Sequence, residues 1–149
     1  MTSTPILHVL VIANETLTSQ AVHDAITAHN NATSFLLVAP ALNTRLRHWT
    51  SDDDRARAAA AQRLDCCIDT FDSRGLQVDG WVGDADPLQA VSDALVVFPA
   101  DELIIATHPE HRSNWLAHDL VRRARLRFGL PVVHLVQPDQ ASLALAAAA

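Results

Sequence analysis

Late in the chain two short apolar runs, LIIA at 103–106 and VVHLV at 132–136, are separated by a helix-length stretch that carries Leu116, Leu120, Ala124 and Phe128 at four-residue spacing. That spacing puts the four on one face of a helix, which must bury them. Two strands joined by such a helix are parallel, because a parallel return needs a crossover of roughly a dozen residues or more, and the crossover is right-handed. The C-terminal third is therefore a strand, helix, strand unit.

The rest of the chain repeats the alternation. Ile6 to Ala13 is apolar apart from His8, as suits a central parallel strand buried on both sides. Asn14, Glu15 and Thr16 lead into a helix reaching about His29, with Leu17, Ala21, Val22, Ala25 and Ile26 on one face and Asn30 and Asn31 to close it. Ser34 to Ala39 is the second strand, ended by Pro40. Residues 41–50 form the longest irregular segment, a surface connection or a lid. Ser51 is expected to cap the next helix, whose first turn holds Asp52, Asp53 and Asp54 at the positive end of the dipole. Ala60, Leu64, Cys67, Ile68 and Phe71 share its inner face. Leu76 to Val82 alternates Val78, Gly80 and Val82 with Gln77, Asp79 and Trp81, the pattern of a strand near a sheet edge. Asp86 as N-cap and Pro87 as the first helical residue open a helix with Leu88, Val91, Leu95 and Phe98 inside, and Pro99 stops it. Ser113 is expected to cap the last helix, which Gly129 and Pro131 end.

Five strands alternating with four helices predict a doubly wound parallel sheet of order 3-2-1-4-5 with helices on both faces. Ligands of such sheets sit beyond the carboxyl ends of the strands where the order reverses, here between the first and fourth. The loops Ala13 to Thr18 and Ala106 to Ser113 are expected to meet there.

The chain's 149 residues fit one domain, 1–138, followed by a low-complexity tail, 139–149. A net charge of -6 argues against a nucleic-acid surface. Arg122, Arg123, Arg125 and Arg127 are read instead as a solvated face at the negative end of the last helix. The first apolar run has no preceding lysine or arginine and falls short of the roughly 20 residues that span a bilayer, so no membrane partner and a cytoplasmic location are expected. Cys66 and Cys67, adjacent on a helix, are read as two reduced thiols.

The candidate ligand-binding residues gather at the predicted crevice. Thr107, His108, Arg112 and Ser113 suit a phosphate or carboxylate, because a helix start offers free amides and Arg112 adds positive charge. Asn14, Glu15 and Thr16 face them and suit a ribose or other polyol. Ala39 and Gly83, at the ends of the second and third strands, complete the rim. His108, His111, His118 and Asp119 have no structural-zinc spacing, and no metal is expected.

The order of elements, the segment VGDADPLQAVSDAL and the ending from ADELIIATH to LPVVHLV resemble the universal stress protein family. Gly83, Asp84, Pro87, Ala100 and Asp101 carry the resemblance, which extends from about Ile6 to Val136. It implies the adenine nucleotide alpha hydrolase-like fold, a role in stress response and a homodimer formed through the last strand. ATP-binding members have a glycine, two residues, a glycine, nine residues and then glycine with serine or threonine; those places hold Ala106, Pro109, Asp119 and Leu120 here. The resemblance therefore implies a member without standard ATP binding and without a resident cofactor. The expected function is a non-enzymatic regulatory domain with at most a small anionic ligand. The alternatives are an altered adenine-nucleotide sensor using Arg112, Ser113 and His108, and a small hydrolase or transferase using His108 or His111 as base with Glu15 to orient it.

Overall fold

Five strands and four helices alternate in the computed structural model: β1 (Leu7–Ile12), α1 (Gln20–Thr27), β2 (Thr33–Pro40), α2 (Thr50–Asp72), β3 (Gln77–Gly83), α3 (Pro87–Val97), β4 (Glu102–Thr107), α4 (Glu110–Phe128) and β5 (Val132–Val136). It describes residues 7–13, 20–28, 33–40, 50–84, 86–107 and 110–136, with the side chains of all of these except 50–54, 56 and 110–118. The strands pair in parallel in the order β3-β2-β1-β4-β5, as predicted. β1 lies at the centre, its Val9 beside Phe35 of β2 and Glu102 of β4.

Strand alternation divides the core in two. On one face Val9, Val11, Phe35, Leu37 and Ile104 meet Val22 and Ile26 of α1 and Ala60, Leu64 and Phe71 of α2. On the other, Leu10, Ile12, Leu36, Val38 and Ile105 meet Leu88, Val91 and Ala94 of α3 and Val121 and Ala124 of α4. Val9 to Ile12 of the central strand are thus spent alternately on the two faces. Among the described residues no helix is long and apolar enough to cross a membrane.

Three expected borders move. α4 begins at Glu110, three residues before the expected cap Ser113, which therefore lies inside the helix. Glu110 itself suits a helix start, an acidic side chain being favoured in the first turn. Of the expected loop from Ala106 to Ser113, Ala106 and Thr107 belong to β4 and the residues from Glu110 onward to α4. α2 begins at Thr50 and takes Ser51 into its first turn. Asp86 does cap α3, its carboxylate accepting the Leu88 amide at 3.0 Å.

Asp101 clamps the amino rim of the sheet. Its carboxylate accepts the His8 amide at 2.9 Å while its own amide donates to the His8 carbonyl at 2.7 Å. This ties the entry of β4 to the start of β1 before their ladder begins. The site is exposed, so Asp101→Ala is expected to cost only about 1 kcal/mol in a urea titration, and Asp101→Asn, which keeps an acceptor, less.

Cys66 is exposed and Cys67 buried, and neither is in a disulfide. Burial, with a smaller contribution from Cys66, pushes the Cys67 thiol from 9.0 up to about 11. One thiol per chain should react at once with an aromatic disulfide reagent at mild alkaline pH, and the second only after unfolding. Because folding holds the Cys67 proton, this contribution to stability is intact below the unfolded value of 9.0 and drains away as pH rises towards about 11. Cys67→Ser should flatten the stability profile over that window.

Candidate functional site

The strand order reverses between β1 and β4, and a small cavity lies at their carboxyl ends. Ile12, Ala13, Pro40, Pro87, Thr107 and Leu120 are among its walls, and its volume is about 70 Å³. That is room for about two waters, whose share of liquid volume is roughly 30 Å³ each. Its walls are apolar except for Thr107. The Thr107 hydroxyl is already engaged, with Oγ1 2.7 Å from Nε2 of His134 on β5.

Of the predicted ligand-binding residues, Thr107 faces this cavity. Ala39 is fully buried, its side chain in the core beneath α1 and α2. Gly83 closes β3 opposite Pro40. A Cβ on it would lie 2.8 Å from Cγ1 of Val38 and 3.0 Å from Cβ of Ala90, so glycine there lets α3 sit close on the sheet. Arg112 and Ser113 lie on the first turns of α4, which leaves the rim two residues after β4 ends. Their side chains, and all of Asn14, Glu15, Thr16 and His108, fall outside the described residues, as does the pairing of Glu15 with His108 or His111.

Two features of the rim lie beyond the sequence reading. Leu120, expected only as part of a helix stripe, lines the cavity, and His134 holds Thr107. The second had a signal: His134 shares the parity of Val132 along β5 and so points to the α4 side. Asp119 on α4 pairs with Arg122 at 3.0 Å and Arg123 at 3.8 Å, Arg125 donates to the Val132 carbonyl at 3.2 Å, and Arg127 lies over the Phe128 ring. Each of the four arginines has a local partner. Among the described residues no three histidine, cysteine or acidic side chains come together as metal ligands.

Two solved structures share this fold. One is a universal stress protein family protein from Arabidopsis thaliana with AMP bound, 12% identical over 91% of this chain and 94% of that one, with a TM-score of 0.53. The other is a protein from the universal stress protein family of Burkholderia pseudomallei, 18% identical over 87% of this chain and 96% of its own, with a TM-score of 0.60. No protein-family model matches the sequence, and no curated protein matches it either.

Proposed function

We propose that this chain, which has the fold of universal stress family proteins, is a non-enzymatic regulatory domain that acts in the stress response as a cytoplasmic homodimer without gripping ATP in the usual way. The supporting observation is the wall of the crevice. At the places where ATP-binding members carry a phosphate loop, Ala106 ends the run of buried β4 residues, Asp119 is occupied by two arginines, and Leu120 lines the cavity. α4 is already helical from Glu110, so Asp119 and Leu120 sit in its third turn rather than at its start. A helix interior has no free amides for phosphate, since its donors are spent on carbonyls one turn back. A small anion at the first turn of α4, near Arg112, remains compatible with this reading.

Dimerisation is supported by β5, an edge strand whose Val133 and Val136 are 40% and 45% exposed. An open strand edge carrying apolar side chains invites pairing. Val133→Lys with Val136→Lys is expected to move the protein from dimer to monomer in light scattering, without loss of helical signal. A monomeric parent would refute that part.

The AMP in the Arabidopsis structure favours a second reading, in which an altered nucleotide site persists at the rim. Titration calorimetry with ATP and AMP to low-millimolar concentration separates the two. No saturable heat supports the first; saturable binding that disappears in Arg112→Ala supports the sensor.

A further inference from the structure

A second cavity among the described residues lies away from the rim just described, over the amino halves of β2 and β3. It is an open groove of about 670 Å³. Ser34, Gln77, Asp79 and Trp81 come from the strands, Asp72 from the end of α2, and Val97 and Phe98 from the end of α3. α3 sits close on β3 at Gly83, where Ala90 lies near, and its far end at Val97 and Phe98 forms part of the groove's wall.

Four sources of negative potential converge on this groove. Asp72 and Asp79 are the charged side chains that line it, and both are exposed. α2 and α3 both end at it, and a helix carboxyl end carries a partial negative charge that a basic residue normally offsets. Neither helix has a basic residue in its last turn. Asp72 therefore adds charge of the unfavourable sign to its own helix end, while Arg74 in the following turn is outside the lining. Beside this field lies apolar surface: Trp81 and Phe98 are half-buried, and Val96 and Val97 are 83% and 68% exposed.

We propose that this groove docks an extended, basic segment of a partner protein, in which arginine or lysine alternates with apolar residues. The cationic head lies between Asp72 and Asp79 with its stem over Trp81, where a guanidinium gains from both carboxylate and ring. An apolar neighbour covers Val97. Side chains must carry the recognition at Gly80, because its amide is already met by the Asp79 carboxylate at 2.9 Å. A metal ion is a poor occupant of so wide a groove with two carboxylates.

The test is fluorescence anisotropy of a fluorescein-labelled hexapeptide of alternating arginine and valine, with a citrulline counterpart, against the full chain. Saturable binding is expected, weakened about tenfold or more by citrulline, by the double variant Asp72→Asn with Asp79→Asn, and by about 0.5 M salt. Trp81→Leu should weaken it as well, with folding checked by circular dichroism. The variant Asp24→Asn with Asp65→Asn makes the same change in net charge away from the groove and should bind like the parent. Equal loss in that variant would mean diffuse attraction to an acidic protein and would overturn the proposal. So would citrulline binding unchanged, or arginine amide alone binding as tightly as the peptide, which would make this a small-molecule site.

Discussion

Phe71→Ala is expected to lower the free energy of unfolding by about 3–5 kcal/mol, a large share of the 5–15 kcal/mol typical of a domain. Phe71 closes the last turn of α2, is 1% exposed, and packs in the core that α1 and α2 form on the sheet. Its ring lies 4.9 Å from that of His23 on α1, so it bridges two helices. Its carbonyl also accepts the amides of Arg74 and Leu76, which set the turn into β3. Truncation leaves a hole at the junction of three elements. A urea titration should show a lower midpoint with the slope unchanged, and Phe71→Leu, which keeps most of the volume, should cost under about 1.5 kcal/mol. A loss below 1 kcal/mol in Phe71→Ala would mean that the α2 end is not anchored this way.

Gly80→Val is expected to be comparably damaging, for the opposite reason. Gly80 lies opposite Leu37 in the β2–β3 ladder, and a Cβ on it would sit 2.8 Å from the Leu37 carbonyl oxygen, 3.1 Å from Leu64 and 3.2 Å from Ile68. The first obstacle is backbone and cannot rotate away, and the other two are side chains by which α2 packs on the sheet. Overpacking costs about 1–3 kcal/mol even when neighbours can shift, and valine here should exceed that range. The companion Gly75→Ala meets open space but must hold a φ of 77°, so it should lose about 1 kcal/mol. If the two variants melted alike, close packing of α2 would not be what requires glycine at 80.

Periodicity made the architecture legible because burial is what periodicity reports. The apolar run of β1, broken only by His8, could only be a central strand, and the inner faces of α2 and α3 follow from the three-, four- and seven-residue spacings that Ala60, Leu64 and Phe71, or Leu88 and Val91, display plainly. Helix starts were less legible. Ser113 and the pair Pro109 and Glu110 are both good openings, and nothing local decides between them. The rim depends on register: Thr107 meets His134 only because β5 pairs with β4 as it does. Leu120 showed its helical face in the sequence but not that this face closes the crevice. The basic-peptide groove is harder still. Gln77, Asp79 and Trp81 announced a wet strand face, whereas the convergence of two helix ends on it requires the strand order in space.

The position of β1 also sets when this protein can fold. Its two ladder partners come from residues 33–38 and 102–105, so one side of the central strand stays unsealed until residues 102–105 have been made. A nascent chain ending before β4 exposes Leu10, Ile12, Leu36 and Val38, which the finished molecule hides. Long-range closure of this kind slows folding, and it places the greatest demand for chaperone protection on the interval before β4 emerges from the ribosome.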